Sequence, residues 1–108
     1  MPLTAGYTTS SATAGLLGYH VAVTITNPGS RPRNGWRLVV TLPRHTLAVG
    51  GVSGASAAQD GTVWTFTPDD STARVMPGGS VSVGFDVHGA TLINAAPTGC
   101  RVDDTPCR

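Results

Sequence analysis

The sequence predicts an all-β fold in which two antiparallel sheets pack face to face. Three observations lead to this prediction. Apolar and polar residues alternate in several short segments, as they do in strands with one buried face. The 14 glycines and 8 prolines interrupt those segments at short intervals, which is typical of turns. The chain is also poor in glutamate, lysine and leucine, which favour helices.

Four segments carry the alternation. Residues 19–25, 36–42 and 81–87 each place apolar side chains on one face and mostly polar ones on the other. The segment "TVWTFTP" at 62–68 does the same with Trp64 and Phe66. The inward sets of these strands predict a core of Tyr19, Val21, Val23, Ile25, Trp36, Leu38, Val40, Leu42, Trp64, Phe66, Val81, Val83, Phe85 and Val87.

Weaker strand candidates and turn signals complete the pattern. "NPGS" at 27–30 and "MPGGS" at 76–80 favour turns, and "DG" at 60–61 favours a tight hairpin. Short strands punctuated in this way indicate a sandwich of the immunoglobulin-like or jelly-roll-like two-sheet kind. A chain of 108 residues has room for one core, so we expect one domain over residues 1–108. The weaker strand candidates are 7–10, 45–49, 55–59 and 98–102.

Charge and composition argue against several kinds of partner. The formal net charge is +1 and only 12% of the residues are charged, so polyanions such as nucleic acid and acidic membranes are not the expected partners. No apolar segment is long enough to span a membrane, and no basic segment followed by an apolar run marks an export signal. We therefore expect Met1 to begin a module excised from a larger protein.

The residues offer little catalytic or metal chemistry. Two pairs of adjacent aspartates, at 69–70 and 103–104, lie in turn-like sequence, where carboxylates are solvated or cap the backbone. A glycosidase needs two carboxylates flanking a cleft instead. His20, His45 and His88 fall at outward or loop positions with no cysteine or carboxylate at ligand spacing. The sequence thus predicts no enzyme, no metal and no cofactor.

The two cysteines lie near the end of the chain. Cys100 and Cys107 are separated by "RVDDTP", and "DDTP" favours a turn that could bring the sulfurs together. A disulfide suits a small exported domain, while two free thiols remain the alternative. The absence of C-x-x-C spacing argues against zinc.

Four segments together resemble family 2 carbohydrate-binding modules, the bacterial cellulose-binding type found attached to secreted glycoside hydrolases. They are "GYHVAVTITNPGS" at 18–30, "NGWRLVVTLP" at 34–43, "MPGGSVSVGF" at 76–85 and "NAAPTGCRVDDTPC" at 94–107. The resemblance implies a non-catalytic, extracellular β-sandwich that docks onto cellulose, chitin or xylan. In such modules, coplanar exposed tryptophans on one sheet stack on the sugar rings.

This chain departs from the family at those tryptophans. The first position falls within 13–17, nearest Gly15, the second at Val52 or Ser53 and the third at Ser71, and none is aromatic. Trp36 and Trp64 align instead with core positions. Polar outward residues such as Asp86 could still hydrogen-bond a glycan. The candidate carbohydrate-binding residues are therefore Gly15, Leu16, Val52, Ser53, Ser71 and Asp86.

A second departure concerns the disulfide. The family usually ties a cysteine near its first strand to one at its last; Cys107 matches the last, but the first position is Leu3. Either Cys100 pairs locally with Cys107 or both stay reduced. Local pairing would staple the C-terminal turn and leave the N-terminus without a covalent tie.

Two functions follow. The leading hypothesis is a non-catalytic module with weakened or altered polysaccharide binding, monomeric in isolation, that targets an attached secreted or cell-surface protein to glycan. The alternative is a structural or protein-interaction domain that has lost sugar binding and uses an apolar patch around Leu16, Leu17 and Val52.

Overall fold

The computed structural model describes residues 3–11, 18–43, 47–88 and 97–107. The described chain is all-β, with no helix long and apolar enough to cross a membrane. Its strands, numbered in chain order, are β1 (Thr4–Ser11), β2 (Gly18–Thr26), β3 (Arg33–Asn34), β4 (Leu38–Thr41), β5 (Ala48–Ser53), β6 (Ala55–Asp60), β7 (Val63–Pro68), β8 (Arg74–Val75), β9 (Ser80–His88), β10 (Gly99–Val102) and β11 (Thr105–Pro106).

The strands form two main antiparallel sheets, as predicted. One has four strands in the order β1-β2-β9-β5, and the other has five in the order β11-β10-β4-β7-β6. β3 and β8 form a separate two-stranded antiparallel ladder. Each sheet has one buried face because side chains alternate between core and solvent along its central strands, as in β4 and β7.

The core lies between the two sheets. Phe66 of β7 and Phe85 of β9 stack across it, with ring centroids 4.7 Å apart. Twelve of the fourteen predicted core residues are buried, and Tyr19 and Val81 are half-buried against the same cluster. The core also contains apolar residues from segments without clear apolar–polar alternation, namely Leu3, Ala5, Leu47, Val75 and Val102.

Tight turns close the hairpins where the sequence predicted them. Gly61 has φ +63° and opens the two-residue loop between β6 and β7. Asp103 and Asp104, with φ 47° and 69°, form the loop between β10 and β11. A disulfide joins Cys100 and Cys107 across this hairpin, with Cα atoms 5.2 Å apart, so the local pairing is confirmed.

Asn27 organises the end of β2. Its buried amide nitrogen donates to the carbonyls of Arg31 (2.7 Å) and Val75 (3.0 Å), and its Oδ1 accepts from the Gly29 backbone N–H. The Asn27 backbone also exchanges hydrogen bonds with the turn before β9, through Gly78 N and Gly79 O. The "NPGS" turn is thus fixed by one side chain that satisfies several buried backbone groups.

The N-terminal strand has no covalent tie to the rest of the sandwich. β1 pairs with β2 along its full length, from Thr4 opposite Thr26 to Ser11 opposite Tyr19. Leu3, at the position where the family usually carries a cysteine, is completely buried. Apolar burial and a continuous ladder therefore hold this strand in place of a disulfide.

Candidate functional site

The outer face of the four-stranded sheet carries a cluster of polar side chains. His20 on β2 and Asp86 on β9 are directly opposite each other in the ladder. His20 Nδ1 lies 2.8 Å from Asp86 Oδ1, and both side chains are 44% exposed. Because an ionised carboxylate can only accept, Nδ1 donates this hydrogen bond. In the neutral ring, Nε2 then remains an acceptor for a ligand hydroxyl.

Glycines beneath these side chains keep the face flat. A Cβ on Gly84 would lie 3.0 Å from Ser53 Oγ and 3.3 Å from His20 Cε1. One on Gly51 would lie 2.6 Å from Asp86 Oδ2, and Gly51 also has φ +58° beside the register shift in β5. Side chains at these positions would push the polar groups off the sheet. The glycines thus leave room for the side chains of His20, Ser53 and Asp86 to lie along the surface of the sheet.

The second and third candidate positions are linked by a hydrogen bond between the residues that follow them. Ser53 ends β5 and is exposed, and the following Gly54 carbonyl accepts a 2.5 Å hydrogen bond from Thr72 Oγ1. Ser71 is exposed in the turn next to Thr72. Val52 is half-buried and packs against the core, so only part of its side chain is exposed. Gly15 and Leu16 lie outside the described residues, as does Leu17.

The turn that carries Ser71 is built around Asp69. Ser71 donates to Asp69 Oδ1 through both its hydroxyl (2.6 Å) and its backbone N–H (2.9 Å), and the Thr72 N–H adds a third bond at 3.1 Å. These hydrogen bonds, chiefly the one from the Ser71 hydroxyl, lower the pKa of Asp69. The Ser71 hydroxyl is therefore already engaged within its own turn.

Both tryptophans are core residues. Trp36 is 5% exposed, and its Nε1 donates a 2.8 Å hydrogen bond to the Thr72 carbonyl, which ties the Ser71 turn to the core. Trp64 is 9% exposed, and its buried Nε1 has no hydrogen-bond partner in the described part of the chain. The prediction that neither indole forms a sugar-stacking surface agrees with this burial.

The remaining aromatic side chains do not replace them. Tyr7 and Tyr19 are half-buried and pack against the core. Burial raises the pKa of Tyr19 to about 12, and the neighbouring Tyr7 adds to the shift. Among the described residues, Met76 is the only exposed large hydrophobic side chain.

The chain matches the family model of the cellulose binding domain over residues 4–107. It belongs to the cellulose-binding domain family. It is 34% identical over 90 residues to endoglucanase E-5 of Thermobifida fusca, a stretch that covers 83% of this chain and 18% of the endoglucanase. The chain thus spans only a small part of that relative's length.

Solved structures share the fold of this cellulose-binding family member. The chitin-binding domain of Chi18aC from Streptomyces coelicolor has a TM-score of 0.70 at 23% identity, covering 96% of this chain and 94% of that one. The chitin-binding domain of a Pyrococcus furiosus chitinase has a TM-score of 0.66 at 19% identity, covering 97% and 99%. The family assignment makes the chain a non-catalytic carbohydrate-binding module.

Ser53, His20 and Asp86 share one face, but Ser53 Oγ and His20 Nε2 are not hydrogen-bonded to each other in the described structure. An activated serine needs that contact. No group of three or more His, Cys, Asp or Glu that could hold a metal ion occurs in the described ranges.

One member of the site was missed from the sequence. His20 has no carboxylate at ligand spacing in the sequence, yet it is hydrogen-bonded to Asp86, 66 residues away. Alternation alone already placed both side chains outward. Only the pairing of β2 with β9, and its register, shows that they are neighbours.

Proposed function

We propose that this module binds a polysaccharide of the cellulose, chitin or xylan class through the outer face of its four-stranded sheet, and that hydrogen bonds rather than ring stacking supply most of the affinity. The module would be monomeric and extracellular, and would target an attached secreted enzyme or surface protein to glycan. Family membership and the relatives described above, an endoglucanase and two chitin-binding domains, support this choice of ligands.

The observation that carries the proposal is a flat polar face without an exposed aromatic ring in the described residues. His20, Ser53 and Asp86 offer donors and acceptors that can match the hydroxyls of a sugar chain. A stacked ring is worth about 1 to 3 kcal/mol in the comparable case of nucleic acid bases. Without such rings, we expect weak binding to flat crystalline cellulose and a relative preference for soluble or less ordered chains.

Pull-down on insoluble cellulose and chitin, together with titration of soluble xylan and chitin oligosaccharides, tests the proposal. Each lost hydrogen bond costs roughly 0.5 to 1.5 kcal/mol, so S53A and D86N should each weaken binding by about 2- to 10-fold. S56A and D60N are matched controls, because Ser56 and Asp60 are exposed on β6 of the other sheet.

The outcomes separate the possible answers. Binding that falls in S53A and D86N but not in S56A and D60N supports the proposed face. Binding that is equal in all four variants would mean that the ligand lies elsewhere on the module. Failure to bind any of these glycans would remove the proposal and favour a protein-interaction domain.

A further inference from the structure

A second polar feature lies on the opposite side of the sandwich. A groove of about 650 Å³ crosses the outer face of the five-stranded sheet near the β10–β11 hairpin. Three arginines from separate segments line it: Arg33 on β3, Arg37 just before β4 and Arg101 on β10. The chain has seven basic residues in all, so the fold gathers almost half of them in one place.

The sheet register sets the spacing of two of these arginines. Arg101 is directly opposite Val39. The Arg37 carbonyl accepts from Asp103 N at 3.0 Å, which extends the same ladder by one step. Arg37 and Arg101 are therefore diagonal neighbours on adjacent strands, about 7 to 8 Å apart along the sheet surface. Their long side chains can reach the same ligand.

The groove already accommodates one carboxylate from the protein itself. Asp103 Oδ1 accepts from the Arg37 backbone N–H at 3.0 Å, and Asp103 Oδ2 lies 3.6 Å from Arg33 Nη2. The guanidinium groups of Arg37 and Arg101 have no ion-pair partner among the described residues. Guanidinium groups remain charged at any physiological pH, and their planar forks match a carboxylate. Two such forks are thus available to a ligand.

The floor of the groove suits a sugar chain better than a nucleic acid. Val39 and Thr67 form part of it, and they offer an apolar surface and a hydroxyl. The lining contains no exposed aromatic ring on which bases could stack, since Trp36 is buried among the described residues. The net charge of +1 provides no long-range attraction for any polyanion, so an anionic ligand of either class depends on short-range contacts within the groove.

We propose that this groove is a second binding site, which takes a carboxylate-bearing polysaccharide of the polyuronate class. Arg37 and Arg101 bind carboxylates of the chain by charge-assisted hydrogen bonds, and Arg33 supplies further positive charge beside Asp103. Asp104 also lines the groove, and its negative charge repels an anionic ligand. The choice of a polysaccharide rests on the carbohydrate-binding family, but the site does not depend on the opposite face.

Calorimetric titration with oligogalacturonate tests the proposal, with its methyl ester as the uncharged counterpart. We expect the acid form to bind, the ester not to bind, and added salt to weaken binding. R37Q/R101Q should weaken binding by about 10-fold or more. R31Q/R74Q is the matched control, because it removes the same charge from two arginines outside the groove lining.

D104N should change the affinity for oligogalacturonate in the opposite direction. Asparagine tolerates the left-handed conformation that Asp104 adopts at φ 69°, so the hairpin is retained. Removal of the opposing charge should strengthen oligogalacturonate binding by about 2- to 5-fold. Circular dichroism of each variant verifies that the sandwich is intact.

Three results would overturn the proposal. These are no binding of oligogalacturonate at low salt, equal effects of R37Q/R101Q and R31Q/R74Q, and tighter binding of heparin or a single-stranded oligonucleotide than of oligogalacturonate. The two proposals can be refuted independently. Binding to the first face is measured on neutral glycans with S53A and D86N, whereas binding to the groove is measured on oligogalacturonate with the arginine variants.

Discussion

Replacement of each tryptophan by phenylalanine tests whether both indoles belong to the core and how they differ. Both substitutions remove the same part of a buried side chain, at a shared cost of about 1 to 2 kcal/mol in the free energy of unfolding. The indole nitrogens distinguish them. Trp36 Nε1 donates to the buried Thr72 carbonyl at 2.8 Å, whereas Trp64 Nε1 is buried without a partner in the described residues.

The hydrogen-bond contribution therefore has opposite sign at the two sites. W36F leaves the Thr72 carbonyl unpaired, which adds about 1 to 3 kcal/mol, for a total loss of about 2 to 5 kcal/mol. W64F removes an unpaired donor and regains about 1 to 3 kcal/mol of desolvation cost, which offsets most or all of the shared loss. We expect W36F to be less stable than W64F by at least about 2 kcal/mol.

Urea unfolding, followed by the fluorescence of the tryptophan that each variant retains, measures this difference. Quenching by iodide in the folded state provides the control, since a core indole is protected and an exposed one is not. A W64F variant as unstable as W36F would contradict the hydrogen-bond argument. Strong quenching of either ring in the native state would contradict the core assignment, and with it the expectation of weak cellulose binding.

Three further predictions follow from the same structure. Tryptophan at the exposed positions 53 and 71 (S53W/S71W) should increase retention on crystalline cellulose by about 5-fold or more per stacked ring, measured by pull-down against the native chain; unchanged retention would contradict the placement of these positions on one ligand face. Because the pKa of Tyr19 is raised to about 12, its contribution to stability is complete below pH 10 and is lost as the pH rises towards 12, so Y19F should flatten the decline of the urea midpoint in this range; a decline equal to that of the native chain would refute the assignment. C100S/C107S should lower the free energy of unfolding by about 2 to 3 kcal/mol, the loop-closure value for a sequence separation of 7 residues, and a urea midpoint equal to that of the disulfide-bonded protein would contradict it.

Much of the fold could be predicted because its signals are local. Period-two alternation located β2, β4, β7 and β9 and placed Trp36 and Trp64 inward, and the Asp60–Gly61 pair located a hairpin turn, but only residues 7–10 of β1 were recognised, as a weaker candidate. The weaker elements were predicted incompletely. β5 continues through a glycine-rich stretch to Ser53, where glycines conceal the alternation, and the two-residue strands β3 and β8 are too short to show a pattern.

The sequence also showed that the family's ligand positions lack aromatic residues, but not how the residues at those positions are arranged. Ser53 and Ser71 could be located by resemblance to the family, whereas the burial of Val52 depends on the path of β5 over the core. The Trp36 indole holds the Ser71 turn by a hydrogen bond to the Thr72 carbonyl, and these two residues are 36 apart in the chain. Such a contact leaves no local signal in either segment.

What the sequence by itself determined is the central strands β2, β4, β7 and β9, the inward direction of both indoles and the absence of aromatic residues at the family's ligand positions, because each depends on neighbours within a few residues. Only the tertiary structure decided which polar groups meet. The His20–Asp86 pair depends on the register of β2 against β9, and the arginine groove depends on that of β10 against β4. Register is set by the packing of the whole sandwich, and a shift of one residue would turn the side chains of the shifted strand to the other face and separate these pairs.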